Sequence, residues 1–231
     1  MEKIYTIPVN EAFEASAADH ACGCPFCALY RKLEENELDL ILGASMMEPD
    51  VRIKTNEKGF CKTHYDMMFT RKNRLGMALM LESHLNRLRE ETSVRLSLKG
   101  VGAEAMKRLN RLEGSCYVCD RIEFSFGKMF AILLWESDPA FRVKLKAQPY
   151  ICLPHYRAFA EYGRSGLSKK LFAEFYGEVS EVVNTYFDTL RGDISWFCKK
   201  FDYRYEAEPW GNSKDAIERA IKFTSGDMHR Q

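Results

Sequence analysis

Two copies of one cysteine–histidine pattern restrict this chain more than any other feature it carries. The first copy reads Cys24-Pro-Phe-Cys27 and then Cys61-Lys-Thr-His64; the second reads Cys116-Tyr-Val-Cys119 and then Cys152-Leu-Pro-His155. Residues 28–60 separate the halves of the first copy and residues 120–151 those of the second. Three thiolates and one imidazole form a closed tetrahedral donor set, and these borderline-soft donors favour Zn²⁺ over Mg²⁺ or Ca²⁺. The spacing predicts two structural zinc sites, each closed within its own copy. Cys24, Cys27, Cys61 and His64 would hold one ion, and Cys116, Cys119, Cys152 and His155 the other. A tight turn lets Cys-x-x-Cys aim both sulfurs at one point. Cys-x-x-His at the opening of a helix puts its donors on one face. Each ion would then pin together helical segments that are distant in sequence.

Other readings of these cysteines are weaker. Burial as small apolar residues accounts for a lone cysteine, not for two matched quartets. A thioredoxin-like redox centre normally follows a strand in a βαβ unit, and no such pattern is present. An iron–sulfur cluster is the remaining alternative, with Cys22 supplying a further thiolate beside Cys24 and Cys27. Four protein ligands leave no position for an activated water, so a zinc site of this kind is not equipped for hydrolysis.

The repetition extends past the donors. Glu48-Pro-Asp-Val-Arg-Ile-Lys54 aligns with Asp138-Pro-Ala-Phe-Arg-Val-Lys144, and Tyr65 and Tyr156 each follow a patterned histidine. Landmarks in one order and at one spacing argue for internal duplication. The expected organisation is a first helical module over 1–100, a second over 101–200, and a loop and helix over 201–231. Apolar spacing predicts an all-α fold. Helices are expected over 27–42, from Pro49, over 61–70, 75–98 and 103–112, over 119–135, from Pro139 and Cys152, over 167–201, and over 215–223. That last helix would be capped by Asn212 or Ser213. Period-two alternation is scarce, leaving room only for short hairpins at the metal knuckles. Residues 225–231 read as a frayed end.

Of the 231 residues, 46% are apolar and 29% charged, the balance of a folded globular chain. Net charge is +1, from 34 basic and 33 acidic residues. This counts against a dedicated nucleic-acid binder, although Arg71, Lys72 and Arg74 with Lys107, Arg108 and Arg111 offer a local basic face. The opening residues lack a signal-peptide core, and no apolar run reaches the length of a membrane helix. The expected location is the cytoplasm, where metal ligation explains such cysteines better than disulfides. Phosphate-binding loops, Ser/His/Asp groupings and HExxH motifs are absent.

The remaining candidates read as structural. Arg52 and Arg142 are expected to brace their modules through a carboxylate or a helix C-terminus rather than bind an anion. His84 reads as a structural or interface histidine, Cys22 as a spare thiol and Cys198 as packed on a helix. His20 and His229 lack a partner pattern. The adjacent pair Glu34-Glu35 reads as solvated surface. In the tail, Tyr203, Arg204, Tyr205, Trp210 and Asn212 fit either a binding surface or a loop docked on the core.

Met46-Met-Glu-Pro-Asp-Val-Arg52, Asn56-Glu-Lys-Gly-Phe-Cys-Lys-Thr-His64, Arg74-Leu-Gly-Met-Ala-Leu-Met80, Lys200-Phe-Asp-Tyr-Arg204 and Pro209-Trp-Gly-Asn-Ser-Lys-Asp-Ala216 carry a likeness. Through them the chain resembles an uncharacterised bacterial family, found largely among gut Firmicutes, with tandem CxxC…CxxH modules. The resemblance covers nearly the whole chain and implies a domain of unknown function, with no activity and no catalytic residue. The leading functional reading is a zinc-stabilised helical scaffold that binds another macromolecule, most simply a protein, without membrane attachment. A nucleic-acid-binding zinc protein and a redox or other enzyme with an unrecognised pocket are the alternatives.

Overall fold

The computed structural model describes residues 6–93, 102–130 and 132–228, and among them there are helices and turns but no strand. Twelve α-helices are found among the described residues: α1 (Thr6–Ala18), α2 (Pro25–Leu42), α3 (Pro49–Lys58), α4 (Lys62–Thr70), α5 (Arg74–Thr92), α6 (Ala103–Glu113), α7 (Tyr117–Met129), α8 (Ile132–Ser137), α9 (Pro139–Lys146), α10 (Leu153–Gly166), α11 (Lys169–Lys199) and α12 (Ala216–Ser225). None of the described helices is long and apolar enough to cross a membrane. Most expected helix bounds hold to within a few residues; the helix expected over 75–98 instead ends at Thr92, with Ser93 extended, and residues 94–98 lie outside the described residues.

Local chemistry sets the starts. Pro49 and Pro139 occupy the first turns of α3 and α9, where the missing N–H costs nothing. Asp138 caps α9 by accepting from Ala140 N (2.9 Å), and Asn73 caps α5 by accepting from Gly76 N (2.8 Å). Three features depart from expectation. Thr6–Ala18 is a helix the sequence did not single out. The helix expected over 119–135 is interrupted after Met129, where Phe130 is buried and stacks on Tyr162 with ring centroids 4.3 Å apart. The expected cap of α12 is replaced by a 3₁₀ turn over Gly211–Ser213, with Asp215 at the cap position.

Packing divides the described residues of the chain into two units. Those of Met1–Arg31 and Lys128–Arg230 form one, and those of Lys32–Gly127 the other. The boundaries of the Lys32–Gly127 unit fall inside α2 and α7. In the discontinuous unit an aromatic cluster forms the core. Phe13 meets Phe141 (4.9 Å between centroids), Phe26 meets Phe159 (5.0 Å), and Phe175 lies edge-on to both Phe159 (4.8 Å) and Trp135 (5.3 Å). Aromatic pairs at these separations add about 0.5–1.5 kcal/mol each beyond area burial. In the Lys32–Gly127 unit, Leu38, Ile41, Met68, Met80, Val118 and Ile122 are buried. Arg108 is also buried there, its guanidinium donating to Glu91 and to Asn56 O (3.1 Å). His84 Nδ1 donates to the same carbonyl (3.0 Å), which makes it a structural histidine.

Both arginines of the repeated segment reach the long helix that follows. Arg52 Nη2 donates to Leu79 O on α5 (2.7 Å). Arg142 Nη2 donates to Glu178 (2.6 Å) and Glu174 (2.5 Å) on α11, while its guanidinium lies 4.5 Å from the Trp135 ring centroid. The tail is split in role. Lys200 Nζ donates to the carbonyls of Tyr205 (2.6 Å), Glu206 (2.8 Å) and Glu208 (2.6 Å), folding the loop back, and Trp210 packs on Phe197. Phe201 and Tyr203 stay in solvent, 77% and 84% exposed.

Candidate metal centres

All four Cys-x-x-Cys and Cys-x-x-His motifs start a helix in the same way. The carbonyls of Cys24, Cys61, Cys116 and Cys152 accept the first intrahelical bond, from Ala28, Tyr65, Asp120 and Tyr156 at 3.2, 3.0, 3.1 and 2.8 Å. Each first cysteine is therefore an N-cap, and each second donor sits three residues on, at the last position of the first turn. Cys61 and Cys152 share extended cap backbones, with φ and ψ of −71° and 163° and of −65° and 152°. Helix starts replace the hairpin knuckles expected for the cysteine pairs. The physical reason is economy: a thiolate at an N-cap meets free N–H groups and the positive end of the helix dipole.

The eight donors gather into two sets, but the sets cross the copies. Cys24 and Cys27 join Cys152 and His155; Cys61 and His64 join Cys116 and Cys119. This corrects the expectation that each copy closes its own site. In the outer set, outer in sequence, Cys27 Sγ lies 3.6 Å from Cys152 Sγ, and His155 Nδ1 lies 3.9, 3.4 and 3.1 Å from the sulfurs of Cys24, Cys27 and Cys152. In the inner set Cys61 and Cys119 sulfurs are 4.0 Å apart, and His64 Nδ1 lies 3.1, 3.2 and 3.4 Å from Cys61, Cys116 and Cys119. Around a tetrahedral ion with Zn–S of about 2.3 Å, neighbouring sulfurs stand about 3.8 Å apart and sulfur and nitrogen about 3.5 Å. The donor type and spacing of both sets fit such an ion.

Packing explains the crossing. Phe26, inside the first Cys-x-x-Cys, is fully buried against Phe159 of α10 and lies 5.7 Å from the His155 ring. In the other unit Tyr117 N donates to Gly59 O (3.0 Å) and Ser115 Oγ to Lys58 O (2.7 Å), seating Cys116 beside the approach to Cys61.

Electrostatically the bare sets differ. In the outer set burial pushes the Cys24 thiol up to about 12 and the His155 imidazole down to about 4, so its groups favour neutrality. In the inner set the bond from Cys119, aided by one from His64, draws Cys116 down to about 3, and Cys119 is correspondingly raised. Burial works against a charged His64, but bonds to Cys116 and Glu34 outweigh it and lift the imidazole to about 10. A divalent cation bound in either set would reverse this crowding by holding its three sulfurs as thiolates.

Two contributors escaped the sequence. Glu34, expected on the surface, is 1% exposed and faces His64 Nε2 at 2.9 Å, which leaves Nδ1 turned to the sulfurs. Its position on one helical face with Leu38 and Ile41 was the available signal. Asp227, expected in a frayed end, donates its N–H to Cys27 Sγ (3.3 Å). Cys22 lies in neither set and approaches Asp19 Oδ2 at 4.0 Å, and Cys198 is exposed. His20 belongs to a 3₁₀ turn, and His229 lies outside the described residues.

A family model matches residues 1–231, and the chain belongs to that family, a family of unknown function (DUF6062). No curated protein and no solved structure matches.

Proposed function

We propose that the protein is a zinc-stabilised helical scaffold that binds another macromolecule, a protein partner before any other. The observation that carries the zinc reading is the gathering of eight donors into two closed four-donor sets at helix N-termini. A closed Cys₃His set fills the tetrahedral shell and leaves no open position for substrate or water, which is the pattern of a structural ion. Structural zinc contributes about 10–16 kcal/mol in small peptide systems, comparable with the whole stability of a domain.

Support for a partner comes from apolar side chains kept in solvent. Phe201 and Tyr203 project from the tail while their neighbours Lys200 and Trp210 are tied down. A fixed loop that presents aromatic side chains suits protein recognition. The basic face needed for nucleic acid is depleted, since Arg108 is buried and Arg71 pairs with Asp39.

Elemental analysis of purified protein tests the first part, with two zinc ions per chain expected; iron, or no metal, overturns it. A photo-crosslinker at position 203 tests the second, in native lysate. A discrete protein adduct lost on Phe201→Ser supports the reading. Salt-sensitive retention on DNA without any protein adduct overturns it in favour of nucleic acid.

A further inference from the structure

The two donor sets meet solvent unequally. Every donor of the outer set is buried, with Cys24, Cys27, Cys152 and His155 exposed by 2%, 1%, 0% and 4%. In the inner set His64 and Cys116 are buried, but Cys61 and Cys119 are only half-buried.

A strap accounts for the sealed set. After α12 the chain passes through Gly226, whose φ of +81° favours glycine. A Cβ there would stand 3.7 Å from the Cys152 sulfur and 3.9 Å from that of Cys27, so the backbone itself lies over the sulfurs. Asp227 follows and donates its N–H to Cys27. Arg31 on α2 anchors the strap by donating to the Asp227 carbonyl and to its carboxylate (3.3 Å).

Building on the zinc reading above, we propose that the inner set is an exchangeable metal site, trading its ion with thiolate or chelating acceptors in solution. The outer set, strapped by Gly226 and Asp227, is a static clamp. Exchange at a four-coordinate ion begins when an incoming donor attacks along an open side. Cys61 and Cys119, both only half-buried, offer one; the strap closes the other set.

The test uses the full chain loaded with zinc and counted by native mass spectrometry, then challenged with excess 4-(2-pyridylazo)resorcinol. One ion is expected to leave fast and the second more slowly by about tenfold or more, the scale on which outer-shell contacts tune metal sites. Iodoacetamide added after the fast phase should alkylate Cys61, Cys116 and Cys119 and spare Cys24, Cys27 and Cys152, with Cys198 as the exposed control. Arg31→Ala keeps all eight donors; it should speed the slow phase about tenfold and leave the fast phase unchanged. Release of both ions in one phase, alkylation of the outer cysteines first, or an unmoved slow phase in Arg31→Ala overturns this inference alone. A chain that takes up fewer than two ions before the challenge overturns the zinc reading, and this inference with it.

Discussion

Glu34 shows how one buried carboxylate can decide the behaviour of a site it does not ligate. With 1% of its surface exposed it accepts from His64 Nε2, fixing the ring so that Nδ1 faces three sulfurs. Outer-shell carboxylates of this kind orient the imidazole and raise its basicity. Glu34→Gln keeps the shape and removes the charge. Inner-site zinc affinity, measured by chelator competition, should fall about tenfold while the outer site is unaffected. Gly59 makes a second prediction. It ends α3 at φ +62° and turns the chain toward Cys61, and a Cβ there would stand 2.9 Å from Leu112 Cδ1. Gly59→Ala should cost about 1–3 kcal/mol in urea unfolding, from left-handed backbone and steric conflict together. That the eight patterned cysteines and histidines gather in space was legible, because matched quartets of these side chains have few other uses. Glu34 was not, because its neighbour Glu35 drew the pair toward the surface reading, while only the spacing to Leu38 and Ile41 revealed the buried face.

At the scale of elements, the short helix after each Pro is tied by its arginine to the long helix that follows, α3 to α5 and α9 to α11. The two ties use different acceptors. Arg52 bonds a main-chain carbonyl, whereas Arg142 meets a carboxylate pair. Glu178 also accepts from Trp135 Nε1 (2.7 Å) and pairs with Lys146 (3.0 Å). Burial opposes its ionisation, but Arg142, Trp135 and Lys146 outweigh that and hold the carboxyl at about 2, below its ordinary 4.5. The folded carboxyl thus binds its proton more weakly than the unfolded one. Its stabilisation is complete above about pH 4.5 and drains away as pH falls toward 2. Glu178→Gln should cost about 1.5–3 kcal/mol at neutral pH, the range for hydrogen bonds to a charged group. Paired urea titrations should show that gap narrowing by pH 3. Acid also protonates the clustered cysteines and histidines, but equally in both proteins, so the difference isolates Glu178. The bracing of Arg142 through carboxylates was legible from the repeated segment, whereas Arg52 meets the Leu79 carbonyl inside α5, neither a carboxylate nor a helix C-terminus. The break after Met129 was not legible, because helical spacing continues through Phe130, whose ring is buried against Tyr162.

For the whole molecule the consequential fact is which Cys-x-x-Cys meets which Cys-x-x-His. Either arrangement gives two Cys₃His sets, so coordination chemistry alone does not choose between them. Long-range packing chooses: Phe26 docks on α10, and Tyr117 and Ser115 bond the segment leading to Cys61. The sets then nest in sequence, one within Lys32–Gly127 and the other joining the two segments that flank it. Double substitutions separate the arrangements. If the sets cross, Cys27→Ser and His155→Ala damage one site, and the double variant should still carry one zinc by native mass spectrometry. Cys27→Ser with His64→Ala damages both sites and should carry none. Pairing within each copy reverses these counts, with one zinc surviving in Cys27→Ser with His64→Ala and none in Cys27→Ser with His155→Ala. Because the readout is a whole number of ions per chain, it is insensitive to how much stability each variant loses, provided soluble protein remains to be weighed.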